Sequence, residues 1–160
     1  MTRALAIAAG LLLVAGCGST KTRTVTRVVR CNGIAADLSF HYAICGGRFM
    51  RDGQVLAISR PTGAKVGHWA KAYLSPDGKT FLAQWSAECE IPTAFFIPVR
   101  GGTPRAVTGE TDWTNAPSST ADGWTEDGRA IVETWRGDCG LPFHRRLYLV
   151  ALDRSRTPIG

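Results

Sequence analysis

The residues with the widest chemical scope in this chain are its cysteines, and four of the five, Cys31, Cys45, Cys89 and Cys139, lie beyond residue 30. None of these has a second cysteine two to four positions away, and His41, His68 and His144 are scattered along the chain. That spacing predicts neither a zinc site nor a Cys-x-x-Cys redox pair. An even number of cysteines points instead to two disulfides, their ordinary use in an exported protein. The acids Glu88, Glu90 and Asp138 flank two of the cysteines, and with His144 and Trp113 they form the candidate binding rim. Carboxylates converging there would take a cation or a basic partner, and an exposed Trp113 would offer a face for stacking on a sugar. No G-x-S-x-G elbow, H-E-x-x-H pair or phosphate-binding glycine loop occurs. No catalytic residue is therefore assigned, no metal or other cofactor is expected, and a non-enzymatic role is the leading expectation.

These side chains must be positioned by a repeat. Asp77 to Pro92 returns as Asp127 to Pro142, with Asp77/Asp127, Gly78/Gly128, Trp85/Trp135, Cys89/Cys139 and Pro92/Pro142 identical in a gapless alignment. Around this pair the turn signals cut residues 68–109 and 118–160 into short antiparallel strands, four to a repeat. The first repeat places Phe81, Ala83 and Trp85 on one strand face and Leu82 on the other, as in a sheet covered on both sides. Because Trp85 and Trp135 share a position in the alignment, both are expected in the core. Equivalent positions also make Cys89 and Cys139 neighbours in stacked sheets, which leaves Cys31 to pair with Cys45. A Cys89–Cys139 bond would close a loop of about 50 residues, for about 4 kcal/mol in the chain-entropy estimate. Upstream, Asp52-Gly53 predicts a hairpin of two strands within Arg48 to Ser59. Leu147 to Leu152 reads as a strand, and the strand after it is expected to be short or cut off. The fold class is all-β, with propeller-blade-like four-stranded repeats. They form an open stack, a ring completed with other chains, or a small sandwich.

The formal charge of +6 is unevenly placed. Arg3, Lys21, Arg23, Arg27 and Arg30 precede Cys31, whereas all 13 acidic residues follow it, so the β-region is nearly neutral. It lacks the clustered positive footprint of a nucleic-acid-binding domain. Residues 1–16 carry one early arginine and then an apolar run too short to span a bilayer, ending in Val14-Ala15-Gly16-Cys17. This resembles the signal peptide and lipobox of bacterial lipoproteins. The resemblance implies cleavage before Cys17, acylation of Cys17, and anchoring to the outer face of a bacterial cell membrane; a plain secretory peptide would equally imply export. Residues 17–30 then read as a basic tether that supplements the lipid on an anionic surface, or as a solvated spacer. The folded domain is residues 31–160.

Tyr73-Leu74-Ser75-Pro76-Asp77-Gly78-Lys79, followed by hydrophobic strands and by Gly101-Gly102-Thr103-Pro104-Arg105, resembles the TolB-type β-propeller repeat. Trp124-Thr125-Glu126-Asp127-Gly128-Arg129 keeps the turn without its Ser-Pro, and Asp153-Arg154-Ser155-Arg156 stands where the glycine pair would be. The resemblance covers residues 69–160 and implies two blades and part of a third. It also implies a binding or protein-interaction domain, whose partner would be another envelope protein or an extracellular ligand. The alternative is an accessory or catalytic module acting on cell-wall glycan or peptide.

Overall fold

Tight turns at left-handed backbone angles cut this chain into short strands. Gly46 and Gly47 (φ 55° and 76°) join β2 (Tyr42–Cys45) to β3 (Arg48–Arg51), and Asp52 and Gly53 (φ 47° and 80°) join β3 to β4 (Gln54–Val55). Two successive positive φ angles give the turn twist that matches paired strands. The structure is a computed structural model that describes residues 31–34, 41–87, 92–109, 118–136 and 143–160. Cys17, Cys89, Cys139, Glu88, Glu90, Asp138 and Trp113 lie outside the described residues, as do the leader and tether.

Three antiparallel four-stranded sheets make up the fold. Sheet 1 runs from β1 (Cys31–Gly33) through β4. Sheet 2 comprises β5 (His68–Leu74), β6 (Thr80–Ser86), β7 (Pro92–Pro98) and β8 (Arg105–Ala106). Sheet 3 comprises β9 (Ser118–Trp124), β10 (Ala130–Arg136), β11 (Phe143–Val150) and β12 (Arg156–Ile159). Each sheet is a meander in chain order, and the sheets stack without closing into a barrel. The expected hairpin at Asp52-Gly53 is present, but it belongs to a whole additional sheet. The strand after Leu147–Leu152 is short, as expected: β12, of four residues, is the outer strand of sheet 3 and pairs Leu147 with Ile159 through Val150 with Arg156. Cys31 and Cys45 sit directly opposite each other across β1 and β2 and are joined as a disulfide.

Sheet 2 is the middle layer. Phe81, Ala83, Trp85, Phe95 and Ile97 pack with Ile44, Phe49 and Trp69 in a core shared with sheet 1. Leu82, Ala94 and Phe96 face the other way, into a core with Ala121, Ala130, Val132 and Val150 of sheet 3. The alternation read from β6 thus divides two cores, as a strand period of two requires.

The gapless repeat alignment needs one correction. In sheet 2 the residue pair nearest the turn is Leu74 with Phe81; in sheet 3 it is Trp124 with Ala130, across a loop one residue shorter. A shift of one residue exchanges the two faces of a strand. Hence Ala130 and Val132 take the places of Phe81 and Ala83, and Ile131 takes the place of Leu82. Trp135 accordingly leaves the phase of Trp85. Trp85 is buried in the core, while Trp135 is only partly buried, with the Arg145 guanidinium 5.8 Å from its ring centre.

Candidate functional site

The shared turn of the two repeats is built by a side-chain hydroxyl and an aspartate. Ser75 Oγ donates to Asp77 Oδ1 at 2.6 Å and accepts from the Thr80 amide at 2.9 Å, while the Lys79 amide donates to the same carboxylate oxygen at 3.1 Å. In the shorter copy Thr125 does the work of Ser75: its hydroxyl donates to Asp127 and accepts from the Arg129 amide at 3.0 Å. Arg129 adds a bond from Nε to Asp127 Oδ2 at 2.8 Å. Hydrogen bonds that favour the charged form hold both carboxyls below the ordinary aspartate value of 3.8, led by the Ser75 hydroxyl for Asp77 and the Thr125 hydroxyl for Asp127. The β11–β12 turn repeats the device, since Asp153 accepts from the Ser155 amide at 2.8 Å and its hydroxyl at 2.7 Å.

Between the first two turns lies a cleft at the seam of sheets 2 and 3. Its main part, about 410 Å³, is lined by Tyr73, Ser75, Pro76, Trp124 and Glu126 among others. A second hollow of about 320 Å³ shares Ser75, Pro76, Trp124 and Glu126 with it and extends past Asp77 and Asp127 to Leu152. The walls are held in place from behind. Trp124 Nε1 donates to the Tyr73 carbonyl at 3.1 Å, and its ring stacks on Phe96 with centroids 5.7 Å apart. Gly123 takes φ 137°, a backbone angle that residues with a side chain rarely adopt, although a β-carbon there would make only an ordinary contact with the Tyr73 ring. Lys71 reaches Asp122 across the seam at 3.5 Å and lies 5.7 Å from the Tyr73 ring centre. The cleft therefore offers aromatic walls and a mouth at which Asp77 and Asp127 are paired with Lys79 and Arg129 of their own turns, with Glu126 beside them.

No protein-family model, curated protein or solved structure matches this chain. Any functional reading rests on its own geometry.

The cleft is not the rim expected from the cysteines. It lies at the Asp-Gly end of the strands and is built from other residues, the cysteines and acids of that rim lying outside the described residues. Of the expected rim residues only His144 is described, as an exposed residue at φ 53° near the start of β11. Sequence reasoning recognised the Asp-Gly turns as punctuation but missed them as walls of a site. The signal that was present is the hydroxyl two residues before each aspartate, Ser75 and Thr125, which marks the two loops as the same device. Among the described residues no three His, Cys, Asp or Glu side chains gather as metal ligands, and no helix is long and apolar enough to cross a membrane.

Proposed function

We propose that this protein is exported, is anchored to the outer face of a bacterial membrane through an acylated Cys17, and acts as a non-enzymatic binding module of the TolB-like propeller type. The partner, another envelope protein or an extracellular ligand, is taken in the cleft between the Asp77 and Asp127 turns. One observation carries the binding reading: Trp124 and Tyr73 line an open hollow, and the Trp124 ring is held by its bond to the Tyr73 backbone carbonyl and by stacking on Phe96, away from the mouth. A prebuilt wall loses little freedom when a partner docks, which is where binding free energy is otherwise dissipated. The lipobox residues Val14-Ala15-Gly16-Cys17 support the anchor. The second reading, an accessory module on cell-wall glycan or peptide, draws on the same aromatic walls, on which a sugar ring could stack.

Two measurements test these parts separately. Metabolic labelling with an alkyne fatty acid should mark the wild-type chain and not Cys17→Ser, and an unlabelled wild-type chain removes the anchor. A photo-crosslinking amino acid placed at exposed Pro76 in cells should yield one discrete adduct that Trp124→Ala weakens at least tenfold. The same probe at Lys65, remote from the cleft, should not yield it. Equal adducts at both sites would sink the cleft as a binding site, and an adduct to glycan fragments would select the second reading.

A further inference from the structure

The seam of sheets 1 and 2 holds a hollow of its own, separate from the cleft between the Asp-Gly turns. It measures about 420 Å³, within the range of small-molecule pockets, and none of its described wall residues belongs to that cleft. Its walls come from the β2–β3 turn, the connector after β4 and the start of β5, with Trp85 of β6. The hydrogen-bonding side chains there are of one kind. Among the described residues Arg48, Arg60, His68, Trp69 and Trp85 line the hollow, and no carboxylate, hydroxyl or amide side chain joins them. Two guanidiniums and two indoles can only donate. Arg48 and Arg60 are exposed and have no ion-pair partner among the described residues, unlike Arg51, Arg129 and Arg145, which each face an acid.

The buried part of the wall has the same deficit of acceptors. Trp85 is 3% exposed, and its Nε1 has no hydrogen-bond partner. An indole N–H withdrawn from water without an acceptor costs the fold stability that an oxygen placed against it restores. Beside Nε1 lies Gly67, which also lines the hollow: a β-carbon there would come within 2.5 Å of that nitrogen. The cover over the N–H at that point is therefore backbone with no side chain. Leu56 and Trp69 add apolar surface next to these donors.

We infer that this hollow is a second binding site, for a small molecule that carries an oxyanion, carboxylate or phosphate, on a ring or other compact apolar body. The oxyanion accepts from the Arg48 and Arg60 guanidiniums, whose planar forks match both groups. The apolar body lies against Trp69 and Leu56. With a small outward shift of Gly67, an oxygen of the ligand reaches the Trp85 N–H and supplies its missing acceptor. The inference is independent of what the cleft binds.

The test uses the full ¹⁵N-labelled chain in mild detergent and three probes that share a ring and differ in charge: benzoate, phenyl phosphate and benzyl alcohol. At least one of the two anions should move the Trp85 indole N–H resonance downfield and saturate it, with a dissociation constant of about 1 mM or below. Benzyl alcohol should bind about tenfold more weakly or worse, and the tighter of the two anions tells carboxylate from phosphate. Arg48→Gln and Arg60→Gln should each weaken that binding about fivefold or more, whereas Arg146→Gln, at an exposed position on sheet 3, should leave it unchanged. The other indole resonances should keep their positions in both variants and so report an intact fold; should one variant lose its fold, the other decides. Absence of a saturable shift with either anion overturns the inference. So does equal binding of benzyl alcohol, or anion binding that the folded Gln variants leave unchanged.

Discussion

The two seams of the stack are built from different materials. Between sheets 1 and 2, Tyr42, Phe49, Trp69, Phe81, Trp85 and Phe95 meet ring to ring, with centroids 5.0 to 5.7 Å apart. Trp85 Nε1 is buried there without a hydrogen-bond partner, and the strand connector meets the β7–β8 turn in a two-bond bridge, the Gly102 amide on the Ala57 carbonyl at 3.0 Å and the Ser59 amide on the Gly102 carbonyl at 3.3 Å. Between sheets 2 and 3 the core is smaller, with Ala94, Ala121 and Ala130 among its residues, and directional bonds cross it. The Ala94 amide donates to buried Ser119 Oγ at 2.9 Å, Trp124 donates to the Tyr73 carbonyl, and the Arg156 guanidinium donates to the Thr108 carbonyl. The reason lies in strand length. Sheet 1 is made of strands of two to four residues and has little backbone to offer, so large side chains and a disulfide hold it. Sheets 2 and 3 each have strands of seven residues, and hydrogen bonds between them can fix one relative placement. The cleft proposed to take a partner lies at this second seam, while a hollow of about 420 Å³ opens at the seam of sheets 1 and 2 beside Trp69 and Trp85.

The sharpest way to break this contrast is Phe81→Ala. Phe81 is fully buried, 5.1 Å from the Tyr42 ring centre and 5.0 Å from that of Phe49, and its truncation leaves a cavity in the aromatic seam. The expected loss is about 3–5 kcal/mol, read from urea unfolding, a large part of the stability of a domain this size. An effect under about 1 kcal/mol would mean that sheet 1 is not held by its rings. Cys31→Ser with Cys45→Ser should come next. The bond closes a 14-residue separation, for which the chain-entropy estimate is about 3 kcal/mol. Its loss should loosen sheet 1 first, seen as faster amide exchange at β2 and β3 than at β9 and β10. Uniform acceleration across all three sheets would show that the layers unfold as one. Ser119→Ala probes the other seam. It orphans the buried Ala94 amide at a cost of about 1–3 kcal/mol while removing almost no apolar area. A neutral result would show that water replaces the hydroxyl and that the seam is not specified by this bond.

The same contrast explains what the sequence made legible. The strands of sheet 2 could be read because β6 alternates two apolar sets with a period of two, and turn residues bound it on both sides. Sheet 1 was visible only as the Asp52-Gly53 hairpin. Its β1, β2 and β4 have two to four residues each, too few for periodicity to declare itself, although Gly46-Gly47 was a turn signal of equal physical strength. Trp135 was misplaced for a different reason. Identity at Asp127, Gly128 and Trp135 aligns the repeats without a gap, but the turn in the second repeat closes one residue earlier, on Arg129 where the first closes on Thr80. Which amide closes a turn depends on three-dimensional hydrogen bonding and leaves no trace in residue identity. The cleft escaped notice because it is made by two loops 50 residues apart, brought together only by the stacking of sheets whose faces that missing residue decides.

The smallest expected effect concerns acid, and it asks whether the cleft's own loops add to the seam. Asp77, Asp127 and Asp153 all have folded-state pKa values below 3.8, each chiefly through hydrogen bonds accepted within its turn. An unfolded chain at pH near that value therefore binds more protons than the folded one, and stability must fall as pH drops through the folded-state values. Above the unfolded value the contribution is complete and independent of pH. All three side chains are at the surface, where solvent screens their interactions, so the acid slope should be shallow. Replacing Asp77 and Asp127 with Asn should flatten the urea midpoint between about pH 5 and pH 2 without moving it much at pH 7, because the amide keeps an acceptor oxygen for the turn. A slope unchanged by the double substitution would assign the acid sensitivity to other carboxylates. A large loss at pH 7 would show that the charges themselves, and not the hydroxyl-to-oxygen bonds, set the loops that form the cleft.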